Sequence, residues 1–156
     1  GYAPRGKTSV IRLSAKRERI NLISSITNQG KVRFMVYRDA MNAKTMLKFL
    51  KRLIKDATSK IFLIVDNLRV HHSKPVKEWL EEHKHEIELF FLPSYSPELN
   101  PDEYLNCDLK AGVHSGTPAR SKAQLAKKAI SHLRMLQKRS SRVQKYFKHP
   151  KIVYAA

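Results

Sequence analysis

A single cysteine, Cys107, is all the thiol present in 156 residues. An internal disulfide framework and a cysteine-rich zinc site are therefore excluded, and the expected compartment is reducing and intracellular. Acidic residues are also scarce. There are 13 Asp plus Glu against 31 Lys plus Arg, which leaves a formal charge of +18. An excess of that size points to a polyanionic partner, most often nucleic acid. Long apolar runs are missing too. Stretches such as Ile61–Val65 fall far short of the roughly 20 residues that cross a bilayer as a helix, so an integral membrane protein of that kind is excluded. Gly1–Ser14 has no apolar core of signal-peptide type. No internal repeat, long low-complexity tract or interior linker divides the chain. The hydrophobic fraction of 42%, in a chain the size of one ordinary domain, is enough to bury a core.

The pattern along the chain is α/β. Gly1–Lys7 reads as a loop punctuated by Pro4 and Gly6, and Thr8–Leu13 as a short strand. Ile20–Ile26 and Val32–Tyr37 are β-rich runs around the turn signal Asn28-Gln29-Gly30, an antiparallel hairpin. Asn42 caps a helix with Met46, Phe49, Leu50, Leu53 and Ile54 on one face. Ile61–Asp66 is a continuous apolar run ending in an acid, the look of a buried parallel strand. A helix capped by Ser73 follows, then a strand over Glu88–Leu92. A turn-rich loop over Pro93–Asn100 leads to a helix with Pro101 in its first position. Ser121–Arg139 is a long basic helix with a capping box at Ser121 and Gln124.

With so few acids, their placement is informative. Asp66 ends the most buried-looking strand, and ligands collect at strand ends in open α/β sheets; an ordinary turn cap is the alternative reading. Glu103 stands at N3 of the helix capped by Asn100, so it reads either as half of a capping box or as a metal-ligating carboxylate. Glu98, Asp102 and Asp108 are rivals for that role. His71-His72 follow Asp66 and Asn67 closely, and a lone His pair is ordinarily a loop feature.

Two strings carry a resemblance. Ile64-Val65-Asp66-Asn67 with His71-His72, and Tyr95-Ser96-Pro97-Glu98-Leu99-Asn100-Pro101-Asp102-Glu103, stand in order, with 36 residues between Asp66 and Glu103. They resemble the signatures of DDE-superfamily endonucleases, specifically the mariner-type transposases of bacterial insertion sequences. The leading GYAPRGK and the basic C-terminal helix are similar to that group as well. The resemblance implies a ribonuclease-H-like mixed sheet flanked by helices, with residues 1–156 as a single catalytic domain. It implies metal-dependent DNA strand cleavage and strand transfer, in which three carboxylates hold two Mg²⁺ ions, with Mn²⁺ as a substitute. Asp66 and Glu103 match the second and third carboxylates and are the implied catalytic and metal-binding residues. Asn67 and His71 or His72 match positions with a supporting or DNA-facing role.

One departure stands out. The family's first carboxylate lies on the first strand, upstream of the segment matched by Tyr2–Gly6. Asp39 falls after the hairpin, where the family has no catalytic residue. The sequence therefore reads as an N-terminally truncated catalytic portion without its helix-turn-helix region, inactive alone. The expected sheet lacks its first central strand, and unpaired edges should bring marginal folding or self-association across the gap.

The basic residues cluster at Lys16-Arg17-Arg19, Lys48-Lys51-Arg52-Lys55, Lys122-Lys127-Lys128 and Arg134–Lys145. Single clusters are commonly solvated faces, but four of them favour phosphate contact. The expected partners are double-stranded DNA, as transposon ends and target, and a second copy in a homodimer. The expected location is the bacterial cytoplasm, with the nucleoid. The rival reading is a non-catalytic basic DNA-binding remnant of a transposase.

Overall fold

The computed structural model describes residues 5–15, 18–93, 99–152 and 155. Five strands form one sheet in the order β3-β2-β1-β4-β5. They are β1 (Arg5–Ala15), β2 (Glu18–Thr27), β3 (Val32–Tyr37), β4 (Ile61–Val65) and β5 (Ile87–Phe91). The helices are α1 (Ala43–Lys55), α2 (Lys74–Glu82), α3 (Asp102–His114), α4 (Lys122–Gln137) and α5 (Ser140–Gln144). Short 3₁₀ turns occupy Arg69–His72 and Lys145–Lys148.

The expected gap in the sheet is not there. β1 fills the central position, antiparallel to β2 from Gly6↔Thr27 to Ala15↔Glu18 and parallel to β4 from Arg5↔Phe62 to Thr8↔Val65. Without it, β2 and β4 would each bury a row of unpaired N–H and C=O groups, which is costly. One strand answers both rows, so the expectation of open inner edges and association across a gap is corrected. The loop reading of Arg5–Lys7 is corrected with it: the glycine at position 6 is paired within the strand. Tertiary hydrogen bonding overrides its local preference.

Helices cover both faces. Ile11, Leu13, Ile20, Leu22 and Ile26 pack against α3, α4 and the C-terminal segment through Leu105, Leu109, Leu125, Leu133 and Phe147. On the other face Ile23, Met35, Leu63, Val65 and Ile87 meet α1 and α2 through Met46, Phe49, Leu50, Val76 and Trp79. β2 is buried nearly throughout because it serves both cores. The β2–β3 turn needs Gly30, whose φ is +86°. A Cβ there would also lie 2.2 Å from the Ser140 carbonyl oxygen.

Asp108 ties the second layer together. Its carboxylate accepts from Arg142 Nε at 2.9 Å and Arg142 Nη2 at 2.6 Å, from His132 Nε2 at 2.9 Å, and from the Tyr146 hydroxyl. The His132 ring lies so close to α3 that a Cβ on Gly112 would sit 2.1 Å from its Nδ1. Burial works against the Asp108 charge, but the hydrogen bonds from Arg142, Tyr146 and His132 outweigh it and hold the carboxyl below its ordinary range. Burial, and then the bond to Asp108, push the Tyr146 phenol up. Asp108 is thus a structural hub, which removes it as a rival metal ligand.

Arg142 is 43% exposed and Asp108 10%, so solvent screens the pair in part; with hydrogen bonds to a charged group contributing about 1.5–3 kcal/mol, Asp108→Asn should lower stability by about 2 kcal/mol at pH 7. A carboxyl with a depressed folded pKa stabilises above its unfolded value and loses that contribution as pH falls through the folded one. Urea unfolding from pH 7 down to about 2.5 should therefore show the gap between wild type and Asp108→Asn closing below about pH 4. A gap independent of pH would contradict the hub.

Candidate active site at the end of β4

Ile61–Val65 is apolar because β4 is an interior strand, with Leu63 and Val65 buried against α1 and α2. Asp66 follows its last paired residue, and the chain turns at once, with Leu68 N–H donating to the Asp66 carbonyl at 2.8 Å. The half-buried carboxylate is left at the C-terminal edge of the sheet.

Asn100 holds it there. Its Nδ2 donates to both Asp66 oxygens, each at 3.2 Å. Its Oδ1 accepts the Asp102 N–H at 2.9 Å, and its carbonyl accepts the Glu103 N–H at 3.1 Å. Asn100 is 2% exposed. One buried amide therefore grips the end of β4 and the start of α3 together. The Asn100–Glu103 capping box is not formed as expected, because the Asn100 side chain caps Asp102 instead. The sequence shows Asn100 as a cap; its second task needs β4 beside it, which no local pattern reveals.

Glu103 is exposed on the first turn of α3, where the helix dipole favours an acid. Asp102, one residue earlier, is fully buried, so the two neighbours face different surroundings. Glu98 lies outside the described residues. Asp39 has φ +63° and its carbonyl accepts from Asn21 Nδ2 at 2.7 Å, a turn residue between β3 and α1.

The two histidines separate. His71 is buried at 2% exposure. His72 is exposed, donates from Nε2 to Asn67 Oδ1, and stacks on Phe91 with ring centroids 4.5 Å apart. Asn67 and His72 thus form one small assembly beside Asp66, with Phe91 as a member that the sequence reading missed. On α4, Lys122 and Lys127 are exposed. Lys128 is committed elsewhere: its Nζ donates to the Ser115 and Thr117 carbonyls at 2.8 and 2.7 Å, which closes the C-terminus of α3.

Among the described residues, no three His, Cys, Asp or Glu side chains form a group that could hold a metal ion. β1 contains no acid at all. β1, which lies beside β4, thus brings no carboxylate to this edge, and the described residues do not form a set of three carboxylates around a cation pair.

Hydrogen bonds to a charged group contribute about 1.5–3 kcal/mol. Asn100→Ala should therefore cost about 2 kcal/mol in urea unfolding at pH 7. Asn100→Asp should cost more, because it sets a second carboxylate against Asp66. Equal losses would argue against an amide aimed at Asp66.

The sequence matches the DDE superfamily endonuclease family over residues 1–126. No curated protein matches it. The fold is similar to the catalytic domain of Mos1 mariner transposase, with TM-score 0.65 at 14% identity over 97% of this chain and 81% of that one. In the Mos1 paired-end complex with left transposon end, the values are 0.62 and 13%, over 90% of this chain and 54% of that one. A chain of the simian T-cell lymphotropic virus intasome, in complex with PP2A regulatory subunit B56 gamma, gives 0.62 and 14% over 81% of this chain and 47% of that one. The chain thus spans about half the length of the proteins in those two assemblies. With that family matched over most of the chain and a five-stranded 3-2-1-4-5 sheet, this chain is a member of the DDE superfamily endonucleases, with the ribonuclease-H-like fold of mariner-type transposase catalytic domains.

Proposed function

We propose that this domain acts on DNA phosphodiesters in transposition, as part of a machinery for metal-dependent strand cleavage and strand transfer. The observation that carries this reading is the Asp66–Asn100–α3 linkage. It sets an acid at a sheet end and a second acid on an adjoining helix turn, in a chain of charge +18 that otherwise avoids acids. Oxygen ligands of this kind suit Mg²⁺ or Mn²⁺, and the Mos1 catalytic domain has been solved with each, together with Raltegravir. When bound, such ions stabilise charge on phosphate oxygens. In this chain Asp66 and Glu103 would be metal-binding residues, Asn100 fixes the Asp66 carboxylate, and Asn67 with His72 borders the site. The partners in this reading are transposon-end and target DNA, with a second copy of the chain as a homodimer, in the bacterial nucleoid.

The second reading, a non-catalytic DNA-binding remnant, is favoured by one observation: Arg5–Ala15 contributes no carboxylate to the central strand. We therefore expect residues 1–156 alone to be inactive. Purified protein with supercoiled plasmid and millimolar Mg²⁺ or Mn²⁺ should give no nicking. Metal-dependent nicking that disappears in Asp66→Asn/Glu103→Gln would overturn the two-carboxylate limit. The same double variant should bind duplex DNA as tightly as wild type or more so, since two charges that repel phosphate are removed. Weaker binding would count against placing these acids beside DNA.

A further inference from the structure

β1 and β4 are parallel, and β1–β2 and β2–β3 are both antiparallel. β3 therefore runs the same way as β4, and Tyr37 ends at the same side of the sheet as Asp66. α1 begins from that side at Ala43. Between β3 and α1 lies a groove of about 630 Å³ whose lining includes Arg38, Lys44, Lys48 and Lys51, together with Tyr37, and no acid.

The four cations are exposed, and among the described residues none of them is ion-paired to a carboxylate; the nearby Arg33–Asp56 pair, at 3.8 Å, lies at the far end of α1. Asp39 is the acid nearest in sequence to Arg38, and it does not line the groove. Lys44, Lys48, Lys51, Arg52 and Lys55 recur at helical spacing along α1. At 1.5 Å per residue the stripe is about 16 Å long, which matches roughly five phosphates of one DNA strand at 3.4 Å each.

Helix stability does not account for the stripe. Arg52 and Lys55 suit the C-terminal turn, but the first turn has no acid, and Lys44 stands in that turn at the positive end of the dipole, where a cation is unfavourable. We propose that the β3–α1 groove is a binding site for the phosphodiester backbone of duplex DNA, leading away from the Asp66 end of the sheet. It supplements or replaces the α4 lysines as the main phosphate track. This rests on the DNA-processing reading and specifies where the duplex lies.

The test is fluorescence anisotropy of the whole chain with a labelled 30-base-pair duplex (about three helical turns), repeated across salt concentrations. Lys44→Gln/Lys48→Gln/Lys51→Gln should bind at least tenfold more weakly, and its log K against log salt slope should fall by about 2.7, from about 0.9 per phosphate contact. Its melting temperature should equal or exceed that of wild type, because the helix dipole is relieved. The single variant Lys48→Glu should weaken binding in the same direction. Lys122→Gln/Lys127→Gln on α4 should change the slope less than the groove variant does. An unchanged slope in the groove variant, with wild type binding normally, overturns the groove and leaves the DNA reading standing. Tighter wild-type binding to single-stranded RNA than to the duplex also overturns it. Failure of wild type to bind duplex even at low salt sinks the DNA reading itself.

Discussion

Both inner hydrogen-bonding rows of the sheet meet at β1. It pairs with β2 over ten residues and with β4 over four. The hairpin half and the βαβ half would otherwise be separate sheets with buried, unpaired backbone. The unequal overlaps also shape the site. β4 stops where β1 still has seven residues to run, so Asp66 emerges beside a long β1–β2 ladder. The strand that completes the sheet brings no acid to that edge, so sheet integrity and carboxylate supply are separate matters in this chain.

Asn100 has the corresponding role between layers. The chain after β5 must bring α3 to the edge of β4, and the amide fixes the meeting point by serving both at once. Asp108, six residues beyond Asp102, then anchors α3 to α4 and the C-terminal segment through His132, Arg142 and Tyr146. One polar node lies just before α3 and the other in its middle. The first holds the carboxylate end of the sheet in register with the helix, and the second holds the helix against its neighbours.

Charge is distributed with the same economy of acids. Asp108, little exposed, is held by several donors. The basic residues divide into those the fold uses, such as Lys128 and Arg142, and those it leaves in solvent, such as the α1 stripe. That division is invisible in composition, because a lysine closing a helix end and a lysine facing a groove are the same letter.

The sequence alone determined the periodic elements. The Val32–Tyr37 strand, the α1 face of Met46, Phe49, Leu50 and Leu53, the Ser121 cap and the buried β4 run all follow from local chemistry: side-chain spacing, capping oxygens and turn glycine. The placement of Asp66 after β4 and of Glu103 in the first turn of α3 was legible in the same way. Tertiary structure decided the rest. Whether Arg5–Ala15 is loop or strand depends on two distant strands needing a partner. Asp108 is a hub because of the donors that surround it, and it meets them 24 to 38 residues away. His71 and His72 are adjacent letters with opposite fates, because one faces the core and the other the Asp66 edge. Hydrogen bonds and burial are satisfied by whatever the fold brings near, and that neighbourhood is not written in any short window of sequence.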